Sequence, residues 1–300
     1  MATGMGLALI DLDGSNGLDV VIGNAGLMAL FHSAADGTLA APQIVSAPDG
    51  AHFIEVLDLN ADGRQDLATT SWANDGAVHL IADGAMTSVF WPVIVSGYNQ
   101  TTHGDLDADG DDDLVVGSGQ GSDFVYVYRN VGDGMPQSIR FLQAPCGGGS
   151  VQGVAVGDYN GDGMGDVAVV SGGNLPNTCV VIHHGLGGFQ FAAPLALATY
   201  EVPGTTRTAD LNADGRDDLV VLHDGGRRVG IYLQGDTELG DEQLYELPFA
   251  NHAGSEALAL GDINSDGCLD VAIANDAGLV TLLGEGCEPL FSDGFETATR

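Results

Sequence analysis

One nine-residue grammar recurs six times along this chain of 300 residues, at Asp11 (DLDGSNGLD), Asp58 (DLNADGRQD), Asp105 (DLDADGDDD), Asp158 (DYNGDGMGD), Asp210 (DLNADGRDD) and Asp262 (DINSDGCLD). The starts are 47, 47, 53, 52 and 52 residues apart. A period of this size constrains the fold more than any local propensity does, because it implies one small unit stacked on copies of itself. Six units fill the chain and leave no room for a second fold. Residues 1–287 are therefore expected to form a single domain of six repeats of ~50 residues, with 288–300 a tail available to close the last unit.

Short apolar runs flank each loop. GLALI, FIEVL, GVAVG and EALALG precede loops; LDVVIG, DLATTSW, DLVVGSG, DVAVVSG, DLVVLH and DVAIAN follow them. A third run comes next (LMALFH, AVHLIA, FVYVYR, CVVIHH, RVGIYL, LVTLL), then a more variable fourth in most units. The runs are short, rich in β-branched residues and bounded by Gly, Asn or Asp, which marks strands; helical spacing is absent. Four short antiparallel strands per repeat give an all-β chain, a β-propeller of four-stranded blades. Six blades are expected. Seven is the alternative, because the chain begins almost at the first strand of its first unit and the last unit lacks a clear fourth strand. Each acidic loop joins the first two strands of its blade.

The loops place oxygen side chains at positions 1, 3, 5 and 9, with the position-7 carbonyl completing the set. The candidate ligands are Asp11, Asp13, Ser15, Gly17 and Asp19; Asp58, Asn60, Asp62, Arg64 and Asp66; Asp105, Asp107, Asp109, Asp111 and Asp113; Asp158, Asn160, Asp162, Met164 and Asp166; Asp210, Asn212, Asp214, Arg216 and Asp218; and Asp262, Asn264, Asp266, Cys268 and Asp270. Oxygen donors in a curled loop suit Ca²⁺, which takes about six to eight oxygens in flexible geometry; up to six ions are expected. Mg²⁺ demands a stricter octahedron. Zinc is disfavoured because no imidazole or thiolate stands at a ligand position. Loop one is the weakest, with Ser15 at position 5, and loop three the most acidic. Position 6 is Gly in five copies, as a loop wound around an ion requires. Positions 2 and 10 are apolar throughout and are expected to tuck each loop onto its blade.

The charge balance supports the same reading. Eight basic residues, all Arg, stand against 42 acidic ones, for a formal charge of −34. Such a surface repels nucleic acid and anionic membranes. Six divalent ions would bring the charge to −22 and offset about a third of the self-repulsion. No apolar run is long enough to span a bilayer. The opening MATGMGLALIDLDG carries no signal-peptide pattern. Placed on the blade, Cys268 and Cys287 fall at the loop end and Cys146 and Cys179 at the opposite end, so Cys146–Cys179 and Cys268–Cys287 are the pairings expected.

These loops and their flanking strands, from about Gly6 to Gly284, resemble the FG-GAP/VCBS-type repeats whose blades are like those of integrin α-subunits. The resemblance implies a calcium-stabilised propeller, usually extracellular or on the cell surface, used in adhesion or carbohydrate binding. Residues Pro289–Glu296 (PLFSDGFE) are similar to an ending found on secreted bacterial proteins.

A glycan or protein ligand is expected on the face opposite the calcium loops, where His52, Trp72, Asn74, Asp75, Tyr98, Asn99, Tyr200, Glu201, Asn251 and His252 fall. Aromatic rings beside amide and carboxylate groups suit sugar rings. The leading function is an extracellular binding or adhesion module, lectin-like in character. One alternative is a polysaccharide lyase or hydrolase on the same scaffold, with His52, His103 or His252 as base. A purely structural surface repeat is the other. No nucleophile elbow or phosphate loop appears, and no catalytic residue is assigned. Oligomeric state is left open.

Overall fold

The computed structural model describes residues 6–15, 17–24, 26–47, 51–71, 76–82, 84–92, 100–119, 122–144, 150–173, 178–223, 226–247, 257–275 and 278–284. The chain is an all-β propeller, with no helix among these residues. Blade one holds β1 (Leu7–Ile10), β2 (Asp19–Asn24), β3 (Leu27–Phe31) and β4 (Gln43–Ser46). Blade two holds β5 (Phe53–Leu57), β6 (Asp66–Thr70), β7 (Gly76–Ala82) and β8 (Ala85–Trp91). Blade three holds β9 (Thr101–Gly104), β10 (Asp113–Gly117), β11 (Phe124–Arg129) and β12 (Gln137–Gln143). Blade four holds β13 (Val151–Gly157), β14 (Asp166–Ser171), β15 (Cys179–His183) and β16 (Leu195–Leu197). Blade five holds β17 (Pro203–Ala209), β18 (Asp218–His223), β19 (Arg228–Tyr232) and β20 (Gln243–Glu246). Blade six shows β21 (Leu258–Gly261), β22 (Asp270–Asn275) and β23 (Gly278–Leu282). Each sheet is an antiparallel meander in chain order. The tail considered for a fourth strand of blade six lies outside the described residues, and no seventh sheet occurs among them.

The chain divides into two compact units, Met1–Asp105 with Asp109–Leu142, and Leu106–Ala108 with Gln143–Arg300. Blades one to three belong to the first, apart from Gln143 at the end of β12, and blades four to six to the second. Within the first unit β1 lies beside β5 and β5 beside β9; within the second β13 lies beside β17 and β17 beside β21. The apolar cores accordingly lie between blades. One joins Ile10, Val21 and Met28 of blade one to Ile54, Leu67 and Ile81 of blade two. Another packs Leu57, Val78 and Trp91 against Leu114, Val116 and Tyr128, with the Trp91 and Tyr128 rings edge-on at 4.8 Å. Two more fill the second unit. A strand packed on both faces needs apolar residues on both, which explains the unbroken runs at β6, β10, β14 and β18, buried along their whole length. The fourth strands β4 and β20 are largely exposed, and their sequences vary most. Blade one leaves Leu7, Leu9, Leu27 and Ile44 exposed on the face away from blade two, so that sheet is apolar on both sides.

Backbone strain is concentrated in the acidic loops. Position 6 is left-handed at Gly63, Gly110, Gly163, Gly215 and Gly267. Position 4 is left-handed too, and there the sequence supplies Ala61, Ala108, Ala213 and Ser265, with Gly14 and Gly161 in the other two loops. A side chain in this region costs about 1–2 kcal/mol. Ala213→Gly is therefore expected to gain about 0.5–1 kcal/mol once the added freedom of the unfolded chain is deducted. Gly215→Ala, where an added Cβ meets nothing within 4 Å, is expected to lose about 1 kcal/mol through strain alone. Urea denaturation midpoints check both signs.

Candidate metal loops and the opposite blade ends

Each loop folds around its first aspartate. In loop two the Asp58 carboxylate accepts hydrogen bonds from the backbone N–H groups of Asn60, Asp62 and Gly63 at 3.2, 3.3 and 2.8 Å. In loop four Asp158 accepts from Gly161, Asp162 and Gly163 at 2.8, 3.0 and 2.8 Å. Asp210 and Asp262 repeat the contacts to positions 5 and 6. Asp105 accepts from Gly110, and Asp11 from Ser15. The position-3 oxygen accepts from the position-5 N–H in loops two, four, five and six, and from Ser15 in loop one. The position-5 carboxylate accepts from the position-7 N–H at Arg64, Asp111, Met164, Arg216 and Cys268. The expected ligands at positions 1, 3 and 5 are thus drawn together by the curl of the backbone. In loop three the ligand atoms of Asp105, Asp107 and Asp109 all lie within 4.8 Å of one another. Arg129 reaches Asp109 at 3.1 Å, a partial counter-charge.

Position 9 has a second role that its spacing does not reveal. Asp19, Asp66, Asp113, Asp166, Asp218 and Asp270 are fully buried. In five loops one carboxylate oxygen accepts the position-2 N–H, at Leu12, Leu59, Tyr159, Leu211 and Ile263. In all six the other oxygen accepts an N–H just past the third strand or at its end: Ser33, Ile81, Asn130, Gly185, Gln234 and Gly284, at 2.7–2.9 Å. The carboxylate therefore pins the loop to the third strand of its blade. Burial raises the carboxyl groups of Asp66 and Asp166 and pushes Asp218 up to about 6. A cation would reverse that cost by favouring the ionised form.

The apolar positions behave as expected with two exceptions, of which one is Val20 at position 10, only half-buried. Leu12, Leu59, Leu106, Tyr159 and Leu211 at position 2 are buried, but Ile263 is 52% exposed. Loops also reach neighbouring blades inside each unit. Asn130 donates to the Asp58 carbonyl at 2.8 Å, and Asp158 N–H donates to Asp217 at 2.8 Å.

At the other end of blade five the second strand finishes at His223, far from Asp218. The fully buried His223 contacts the Glu201 carbonyl at 3.1 Å and Glu242 at 2.9 Å. Glu242 also accepts from Thr199 Oγ1 and from the Tyr200 N–H. Tyr200 packs edge-on against His223, and the Arg228 guanidinium lies 4.6 Å from the Tyr200 ring centre. Tyr200 and Glu201 thus stand at the blade end expected for a ligand. His52 is nearly buried, and its N–H donates to Thr70. Trp72, Asn74, Asp75, Tyr98, Asn99, Asn251 and His252 lie outside the described residues. His103 falls on the loop side, close to Asp105 in the chain, and not on the opposite face where the enzyme alternative needs its base. It closes with Glu55 at 2.8 Å and stands 3.7 Å from Asp112. Burial works against its protonated form, but the Glu55 hydrogen bond and the charges of Glu55 and Asp112 outweigh this and raise its pKa.

Cys179 begins β15 at the end away from the acidic loop, and Cys268 sits at position 7 of loop six; neither is a free thiol. Cys146 and Cys287 lie outside the described residues.

A family model described as an FG-GAP-like repeat matches residues 11–69, 105–169 and 210–273. No curated protein matches the chain. Among solved structures, a lectin of Agrocybe aegerita, described by its specific recognition of non-reducing terminal N-acetylglucosamine, superposes with a TM-score of 0.67 at 17% identity, covering 99% of this chain and 80% of the lectin. BBS1N, solved in complex with ARL6DN and soaked with mercury, superposes with a TM-score of 0.57 at 12% identity, covering 92% of this chain and 77% of its own. At these identities the likeness concerns the fold alone.

Proposed function

Since this chain belongs to the FG-GAP-like repeat family, we propose that it is a calcium-loaded propeller acting as an extracellular binding module, with its ligand held at the blade ends opposite the acidic loops. The observation that carries the reading is the sixfold recurrence of loops that gather oxygen donors at positions 1, 3 and 5, with three carboxylates inside 4.8 Å in loop three. Carboxylates held that close repel one another, and a divalent cation removes the repulsion. The donor set of loops two to six, Asp and Asn oxygens with backbone carbonyls, fits Ca²⁺. Extracellular calcium modules bind at about 10⁻⁴–10⁻³ M, a range filled outside the cell and not in the cytosol.

Tyr200, with Arg228 at its ring and Glu201 beside it, offers an aromatic and polar surface of the kind that sugars use. The lectin neighbour supports a glycan in preference to a protein as the first ligand to test. A glycan array probed in millimolar Ca²⁺ is the experiment, with glycans ending in N-acetylglucosamine among the first probes. Saturable binding to terminal sugars, weakened at least fivefold by Tyr200→Ala, is expected. No glycan binding at any probe density would overturn the carbohydrate reading.

Cys146–Cys179 and Cys268–Cys287 complete the proposal as two local staples, each contributing about 3 kcal/mol. Non-reducing peptide mapping should return those two linked pairs; four free thiols, or any crossed pairing, would refute it.

A further inference from the structure

Loop one differs from the other five in its chemistry, and we propose that it is a site for a borderline divalent cation of the zinc class, held by His32, Asp13 and Asp19. The proposal rests on reading the acidic loops as cation sites, but it needs loop one alone. Position 5, a carboxylate in every other loop, is Ser15 here, so one hard anionic donor is missing. In its place a nitrogen arrives from outside the loop. His32 follows β3, and its Nδ1 lies 3.1 Å from Asp19 Oδ2 and 3.7 Å from Asp13 Oδ2. The three ligand atoms all fall within 4.8 Å of one another. Two donors bound to one zinc ion at about 2.0–2.1 Å stand roughly 3–3.7 Å apart, which is the spacing seen.

The equivalent place in the other blades, one residue before the N–H that meets the position-9 carboxylate, holds Leu80, Arg129, His184, Leu233 and Leu283. Leucine offers no donor, and Arg129 supplies its own cation. His184 lies 2.9 Å from Asp166 Oδ2, but its next neighbour is the Asn160 amide at 3.3 Å and position 5 there is still Asp162. Among the described residues, only loop one joins an imidazole to two carboxylates while lacking the position-5 carboxylate. Exchanging an oxygen donor for imidazole weakens a site for Ca²⁺ and strengthens it for Zn²⁺ or Co²⁺. Asp19 is fully buried, while His32 and Asp13 are about one-third exposed, at 34% and 39%. A metal there has a fixed inner ligand and an open outer side for water.

The test uses the full chain saturated with Ca²⁺ and titrated with Zn²⁺ by calorimetry, then with Co²⁺ followed by visible absorption. One equivalent of Zn²⁺ is expected to bind over excess Ca²⁺, with Co²⁺ giving the ligand-field band of a nitrogen-containing site. His32→Gln should weaken Zn²⁺ at least tenfold and abolish the band; Asp13→Asn should weaken it too, and His184→Gln should leave both unchanged. Calcium-dependent melting of His32→Gln should persist, because loops two to six are untouched. If that melting persists while wild type takes up no Zn²⁺, or while His32→Gln binds it equally well, the zinc site is refuted and the calcium loops stand. If the melting is independent of calcium in wild type as well, the broader reading fails instead.

Discussion

Excess chelator at neutral pH is expected to lower the melting temperature by roughly 14 °C. A ligand that binds only the folded state at ten times its Kd stabilises by about 1.4 kcal/mol, so the five calcium loops, two to six, sum to about 7 kcal/mol. At about 2 °C per kcal/mol for a chain of this size, the shift follows. The direction of the pH dependence should also differ between the two states. Asp218 is pushed up to about 6 by burial, and Asp66 and Asp166 are raised for the same reason. A raised carboxyl favours the fold fully below its unfolded value near 3.9 and loses that contribution as pH climbs through its folded value. In chelator, stability should therefore fall between about pH 4 and pH 7. Growing self-repulsion in a chain with 42 acidic residues pushes the same way. With Ca²⁺ bound, the ionised form is the one held, so stability should rise over that window. Calorimetric scans at several pH values, with Ca²⁺ and with chelator, check both statements. An unchanged melt in chelator, or parallel pH slopes, would remove the cations from the account of this fold.

Asp218→Ala is expected to cost about 2–5 kcal/mol even in chelator, and more in Ca²⁺, where it also removes a candidate ligand. The substitution leaves the N–H groups of Leu211 and Gln234 unpaired, at a site where Asp218 is fully buried. Each orphaned buried donor costs about 1–3 kcal/mol. Asp218→Asn should be of similar severity, because its amide turns a donor toward one of the two N–H groups. Asp214→Ala, at the exposed position 5, should lose stability in Ca²⁺ and much less in chelator. Urea unfolding of the three variants in both conditions separates a carboxylate that clamps the backbone from one that serves an ion. If Asp218→Ala matched wild type in chelator, the clamp would be of no consequence.

The blade plan could be read from the sequence because periodicity is a local property. The near-regular interval of 47 to 53 residues and the strand runs around each Asp pointed to six small antiparallel sheets, with a seventh left open, and the oxygen grammar marked the loops between first and second strands. Gly63 and its four counterparts declared a left-handed position 6 by their type. Position 4 did not, because Ala61, Ala108 and Ala213 are the residues a reader expects to be right-handed. Their strain is imposed by the N–H groups that converge on the position-1 carboxylate. Ile263 likewise shares the apolar type of Leu59 and Leu211 without their burial.

What the chain determined unaided is therefore its repeat, its strands and the chemistry of each loop: strands and loops depend on neighbours within about ten residues, and the repeat is written in the sequence as a 47–53-residue interval. The partners that give those residues their second roles come from farther along. The N–H groups that meet the position-9 carboxylates lie 14 to 19 residues downstream at no fixed spacing. His32 reaches Asp19 from 13 residues away, and Glu242 reaches Tyr200 from 42. Only the hydrogen-bonded register of the third strand against the second brings such groups together. Register is a property of the assembled sheet, so tertiary structure alone decided which aspartates are clamps, which histidine faces a loop, and where a candidate ligand surface gathers its residues.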